Sequence, residues 1–318
     1  MKLSKEIQEK LICPSSKSKL IRKGEKLESI SDPKFSYPIV EGIPVLINEA
    51  NSLFCIDDFV NKINTTIDLQ DLDKTPIKKF LLKIFPRIGV NIKAKKNYKK
   101  IASILPKDSK ILVIGGSLIG SGMEEIYLEG KFEVIGSDVS FGKGTGLISD
   151  AHDIPFQDGT IDCVVVQAVL EHVLNPSRCV SEIYRVLSPA GLVYAETPFI
   201  QQVHMKMYDF TRFTHLGHRW LFKDFEEISS GPCCGPGMAL AWSFVYFLRS
   251  FTSSNIIRRI LDICSHLMTF YLKYFDYYLI DKPGSYDAAS GYYFLGKKSQ
   301  KALDPKELIE LFKGSNFH

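Results

Sequence analysis

Residue types able to do chemistry gather at three places along the 318-residue chain. The first is a glycine-rich run, GGSLIGSG, from Gly115 to Gly122. Between a strand and a helix, such a run lets the backbone approach a ligand closely and points the helix N-terminus at an anionic part, although a tight turn wants glycine for steric reasons alone. The second is Asp138, about 20 residues further on, where a carboxylate ending the next strand can accept both hydroxyls of a ribose. The third is the stretch TPFIQQVHMKMYDFTRFTHLGHRWLFKDFE, which carries His204, Asp209 and Arg212. A histidine with its ordinary pKa near 6.5 suits removal of a hydroxyl proton, which makes His204 the candidate general base; it could equally serve a loop carbonyl. Asp209 and Arg212 either orient an acceptor or pair with each other.

The elements that must position these residues alternate from residue 110 onward. KILVIG (110–115) reads as a buried strand, GMEEIYLEG as a short helix, and FEVIGSD as a second strand ending on Asp138. IDCVVVQ (161–167) is the near-continuous apolar run of a central parallel strand. PSRCVSEIYRVL is a helix stopped by Pro189 and Gly191, GLVYAET the next strand, and GYYFLGKK (291–298) a late strand closing the sheet. The alternation predicts an α/β fold, a parallel Rossmann-like sheet with helices on both faces.

Around this domain, taken as 101–300, the chain divides into a small β-rich unit (1–50), connecting helices (51–100) and a tail (301–318). The connecting stretch is rich in lysine, including Lys78, Lys79, Lys83, Lys93, Lys95, Lys96, Lys99 and Lys100, read as a solvated face. A hydrophobic helical insertion at 238–281 exceeds what a minimal fold needs. Two amphipathic helices over the acceptor site are expected there. In the second, Ile256 to Ile280, Arg258, Arg259, Asp262, His266, Thr269, Lys273 and Asp276 recur at steps of three and four. The broad opposite face, with Leu267, Phe270, Tyr271, Tyr274, Tyr277 and Tyr278, suits a membrane surface, the chain's own sheet or a homodimer contact.

With 45% hydrophobic and 24% charged residues the chain should fold, and a charge of +4 is too weak to argue nucleic-acid binding. The seven cysteines form no regular framework, which fits free thiols in a reducing compartment. The charged N-terminus does not read as a signal peptide, and no window reaches the roughly 18 apolar residues of a membrane span. A cytoplasmic protein is expected, with peripheral contact at the inner membrane face through 238–281.

The segment SDAHDIPFQDGTIDCVVVQAVLEHVLNPSRCVSEIYRVLSPAGLVYAETP, Ser149 to Pro198, closely resembles the class I S-adenosylmethionine-dependent methyltransferases. The resemblance runs through Asp150, Ala151, Pro155, Phe156, Asp158, Gly159, Asp162, Leu170, Glu171, His172, Val173, Arg185, Val186, Leu187, Pro189 and Gly191. It implies that Gly115, Gly116, Ser117 and Gly120 belong to the loop facing the methionine and ribose of the donor, and that Asp138 holds the ribose. It further implies that Asp150 meets the adenine amino group, that Ala151 gives backbone contacts, that Val139 and Ile154 flank the adenine, and that Gln167 lies beside the methionine. His172 is a second site candidate after His204. The chain departs from the family in having Val113 where an acidic residue usually precedes the loop, with Glu124 or Glu125 as substitutes. The stretch after GLVYAET is similar to a bacterial methyltransferase subgroup in its P-F, His204, Asp209 and R-F-T positions, so Asp209 and Arg212 become candidate substrate contacts.

Cys13 to Ile47 is similar to the small zinc-ribbon-like domain that accompanies methyltransferases, yet Ser16 stands where the second cysteine is expected and no further pair follows. Four thiolates cannot be assembled, so no metal is expected. The methyltransferase resemblance, not this unit, implies O-methylation of a small-molecule, saccharide or lipid-linked acceptor. A prenylated-quinone methyltransferase, or a non-catalytic scaffold binding a partner enzyme, are the alternatives.

Overall fold

The computed structural model describes residues 1–63, 65–66, 87–128 and 130–315. It begins with a short helix, α1 (Lys5–Glu9), and four antiparallel strands, β1 (Leu20–Lys23), β2 (Lys26–Ser29), β3 (Ser36–Val40) and β4 (Ile43–Leu46). Helices α2 (Ile56–Val60) and α3 (Ala94–Ile104) then lead to β5 (Ser109–Ile114), β6 (Phe132–Asp138), β7 (Leu147–Ser149) and β8 (Ile161–Gln167). After α4 (Pro176–Val186) come β9 (Leu187–Pro198), α5 (His215–Leu221) and β10 (Phe225–Cys234). The insertion supplies α6 (Pro236–Arg249), α7 (Asn255–Thr269) and α8 (Leu272–Leu279), followed by α9 (Pro283–Ala288), β11 (Gly291–Lys298) and α10 (Pro305–Glu310).

Among the described residues these strands form one sheet in the order β1-β2-β3-β4-β7-β6-β5-β8-β9-β11-β10. The run from β4 to β9 is parallel, as the Rossmann-like reading predicts, and the near-continuous apolar strand β8 lies inside it, between β5 and β9. β11 adds antiparallel to β9, but it does not close the sheet: β10 pairs outside it. Sequence reading misses β10 because EEISSGPCC lacks apolar alternation and holds a glycine and a proline.

The N-terminal strands extend the main sheet. β4 pairs parallel with β7, Val45 opposite Ile148, and Leu3, Ile7, Leu11, Leu27 and Ile39 share one core with Leu112, Ile135, Leu147 and Phe156. Asp153 accepts hydrogen bonds from Asn48 (3.0 Å), Asn51 (3.1 Å) and Arg178 (2.8 Å), tying the β3–β4 side to α4. Where a zinc ribbon would gather thiolates, Cys13 Sγ lies 3.2 Å from the Tyr37 hydroxyl, while Ser16, Ser18 and Ser29 hydrogen-bond one another at 2.7–3.1 Å.

Two helix expectations need correction. GMEEIYLEG forms only a 3-10 turn, Met123–Glu125, because left-handed Gly122 (φ 82°) and Gly130 (φ 68°) bound it too closely for a stable α-helix. The covering role falls to α3, whose Tyr98 and Ile101 pack with Met123 and Ile126 against β5. Residues Ile256 to Ile280 are not one helix either. The chain breaks between α7 and α8, and Asp276, expected on a polar outer face, is fully buried: its carboxylate accepts from the N–H groups of Gly237 (2.7 Å) and Met238 (2.9 Å) at the N-terminus of α6. A carboxylate there satisfies donors the helix leaves open and suits its dipole. Lys78, Lys79 and Lys83 lie outside the described residues.

Helix α5 buries two histidines, and burial pushes the His215 pKa down to about 4 and that of His218 to about 3. The unfolded chain takes up these protons near pH 6.5 and the folded chain does not, so stability falls as pH drops from 6.5 toward 4. The expected slope is up to about 1.4 kcal/mol per pH unit for each histidine. Thermal unfolding of the wild type and of His218→Gln between pH 4 and 7 should show a shallower acid loss in the variant; equal slopes would remove His218 as a cause.

Candidate active site

The carboxyl ends of β5, β6, β7 and β8 open into a cavity of ≈ 260 Å³. Its wall includes Gly115, Ser117 and Gly120 from the loop after β5, Asp138 and Val139 from β6, Asp150 and Ala151 after β7, and Gln167 from β8. These are residues the sequence assigned to the donor, now brought to one place. Gly116 is different: a Cβ there would come within 2.7 Å of the Gly136 backbone, so it serves the close seating of the loop on β6. Leu53, Phe54 and Thr66, ahead of the Rossmann-like strands, complete the wall and were not anticipated.

Asp138 is buried, and its Oδ2 accepts the Ser117 N–H at 2.9 Å. Burial raises its pKa, so hydroxyl donors from a ligand would favour the charged form. Asp150 is held from two sides: Ser52 donates to Oδ2 (2.6 Å), and His152 Nδ1 lies 2.6 Å from Oδ1. The Asn175 N–H donates to His152 Nε2, which fixes Nδ1 as the hydrogen-bearing nitrogen. Burial raises the Asp150 pKa, but these hydrogen bonds outweigh it and hold the carboxyl below its ordinary value.

Behind Gln167 lies a polar network that the sequence did not disclose. Gln167 Nε2 and Asn91 Nδ2 each donate to Glu196 Oε2 at 2.7 Å, the Tyr194 hydroxyl donates to Oε1, and the Tyr98 hydroxyl donates to Gln167 Oε1 at 3.3 Å. A Cβ on Gly120 would come within 2.1 Å of Gln167 Oε1, so glycine is required for the loop to cross this amide. The apolar wall beside Val139 and Phe54, the buried Asp138 and this fixed amide suit a nucleoside with a short polar chain. Glu124 and Glu125 do not line the cavity; Glu125 faces Lys99 at 3.8 Å.

The cavity wall also includes His172, Met205 and Tyr208, the Tyr208 ring 5.7 Å from that of Phe54. His204, Asp209 and Arg212 are not on its wall, but the His204 ring stands 4.9 Å from that of His172. Asp209 and Arg212 pair with each other, and Arg212 also donates to the carbonyls of Gln201 and Gln202. The Asp209 carboxylate accepts the His204 N–H at 2.8 Å, so the pair fixes the loop that presents His204. Burial pushes the Asp209 pKa up, yet the Arg212 hydrogen bonds prevail and hold it at about 2. Between the two histidines lies Glu171, fully buried, with neither side-chain oxygen accepting a hydrogen bond among the described residues. Burial pushes its pKa up to about 8 and that of His172 down to about 4.

Residues 120–195 match the family described as a methyltransferase domain. The matched segment, about a quarter of the chain, is thus similar to a methyltransferase domain. A 51-residue stretch is 39% identical to an uncharacterised 37.1 kDa protein in a transposon of Streptomyces fradiae, covering 16% of this chain and 15% of that protein's length. Among solved structures, phosphoethanolamine N-methyltransferase 2 of Haemonchus contortus in complex with S-adenosylmethionine is similar at 16% identity and a TM-score of 0.43, over 74% of this chain and 60% of that one. Geranyl diphosphate C-methyltransferase of Streptomyces coelicolor gives 14% identity and a TM-score of 0.37, over 63% and 76%.

Proposed function

We propose that the chain transfers a methyl group from S-adenosylmethionine to an acceptor oxygen. The observation that carries this reading is the meeting of Asp138, Asp150 and Gln167, all within the matched segment, on one cavity whose wall also includes His172. Asp138 would take the ribose hydroxyls, Asp150 the adenine amino group, and Gln167 the methionine end. The sulfonium supplies the reactivity, so the chain's own task is to place the acceptor and ease the loss of its proton near His172 and His204. Calorimetry with S-adenosylmethionine and its demethylated product tests the reading. Both should bind at one site, and no heat at millimolar ligand would favour a scaffold without a donor.

A lipid-linked acceptor is favoured by the helical insertion. Its aromatic face is turned outward, with Tyr271, Tyr274, Tyr277 and Tyr278 exposed, and so is the apolar row Ile256, Ile260, Ile263 and Leu267 of α7. Arg258 and Arg259 are exposed beside that row. No helix of the described residues is long and apolar enough to cross a membrane, so such a face suits shallow contact with a lipid surface. The insertion also touches the site: the Tyr246 hydroxyl donates to the Val203 carbonyl at 3.0 Å, next to His204. In flotation assays the protein should rise with anionic vesicles at low salt and less with neutral ones, each basic residue near the surface adding about 1 kcal/mol. No flotation with anionic vesicles would direct the search to a homodimer contact.

A further inference from the structure

We infer that Glu171, His172 and His204 form a binding site for a divalent transition-metal ion at the acceptor end of the cavity. Its catalytic use rests on the methyl-transfer reading above; its existence does not. Glu171 is fully buried, and among the described residues nothing donates a hydrogen bond to either of its oxygens. A buried carboxylate without a partner is costly, and such groups in folded proteins commonly coordinate an ion.

The two histidines face it in the form a metal requires. His172 Nδ1 lies 2.7 Å from the Tyr208 carbonyl and His204 Nδ1 lies 3.2 Å from the Gln202 carbonyl. A carbonyl oxygen only accepts, so both Nδ1 atoms carry hydrogen and the lone pairs are on Nε2. Metal-binding histidines are held this way, the second ring N–H given to a backbone carbonyl. Both Nε2 atoms approach the same carboxylate oxygen, Glu171 Oε1, at 3.6 Å from His172 and 3.8 Å from His204. These separations are too long for a proton shared in a hydrogen bond. They are close to the edge of a tetrahedron around zinc, about 3.4 Å for metal–ligand bonds near 2.1 Å. All three ligand atoms lie within 4.8 Å of one another.

Two imidazoles and one carboxylate select zinc or a similar first-row ion over magnesium, and three protein ligands leave a position open. His172 lines the cavity, so an ion held there would adjoin the space an acceptor could enter. A hydroxyl bound there loses its proton to water more readily. Its oxygen lone pair then forms the new C–O bond while the electrons of the methyl–sulfur bond return to sulfur, leaving a neutral thioether. His204 thereby activates the acceptor through the ion and not by taking the proton itself. Sequence reading missed the set because Glu171-His172 and His204 are brought together only by the loop that Asp209 and Arg212 fix.

The test is Zn²⁺ titration of the chelator-stripped full chain, by calorimetry and by metal analysis after dialysis. Wild type should take up one equivalent, and Glu171→Gln and His204→Ala should each weaken it by about 100-fold or more, since loss of a ligand exceeds the 10- to 100-fold typical of an outer partner. Magnesium should not compete. Absence of stoichiometric uptake by the wild type, or uptake unchanged in both variants, overturns the inference. If Glu171→Gln fails to fold, His204→Ala, on a partly exposed loop position, decides alone. Donor calorimetry on the same stripped protein separates the two readings: donor binding without zinc uptake refutes only the metal site, and zinc uptake without donor binding refutes only methyl transfer.

Discussion

Replacing Asp138 with alanine is expected to weaken S-adenosylmethionine binding roughly 10- to 150-fold while a cooperative thermal transition remains. The range corresponds to about 1.5–3 kcal/mol for hydrogen bonds to a charged group. Two losses contribute. The ribose hydroxyls lose their acceptor, and Ser117 loses the carboxylate that fixes its N–H at the cavity wall. Asp138→Asn, which can keep an oxygen toward Ser117, should fall between wild type and alanine. The measurement is donor affinity by calorimetry beside thermal unfolding, and an unchanged affinity with an intact transition would remove Asp138 from the site.

For His204→Ala the pattern is reversed. Donor affinity should persist, because His204 is off the wall occupied by the donor residues, while turnover should fall by about 10² to 10⁴. The Asp209–Arg212 pair remains in the variant, so the loop keeps its shape and the loss reports on the imidazole. The size of the loss is the same whether Nε2 takes a proton or holds an ion; sensitivity of the wild type to chelator separates these roles. Full activity in the variant would leave His204 a loop residue only.

The parallel part of the sheet was legible because buried strands write themselves as apolar runs: β5, β6 and β8 fall within a residue of their expected bounds. Most of the residues named for a donor, from the glycine loop through Asp138 and Asp150 to Gln167, are local in sequence and meet on one cavity, while Gly116 and Ile154 lie off its wall. What escaped depends on distant partners. Nothing near Asp276 signals that its carboxylate will cap α6, so a residue at helical spacing with other polar ones was assigned to the wrong face. Glu196, in an otherwise apolar strand, becomes meaningful only when Asn91 and Gln167 arrive beside it. Glu171 is one of the four consecutive residues Leu170 to Val173 that carry the family resemblance, and its lack of a hydrogen-bond partner among the described residues is visible only in three dimensions.

The parallel pairing of β4 with β7 has a consequence for synthesis. Strand β4, every residue of it buried in the finished fold, leaves the ribosome long before residues 147–149 exist to pair with it. At a translation rate of about 5–20 residues per second, the intervening hundred or so residues take roughly 5–20 s. During that time the apolar IPVL strand has an unpaired edge, the kind of segment on which chains associate with one another. The nascent chain is therefore open to self-association through this interval, and a circular permutant starting near residue 101, with β4 following β11, should be less so because β7 would already be waiting.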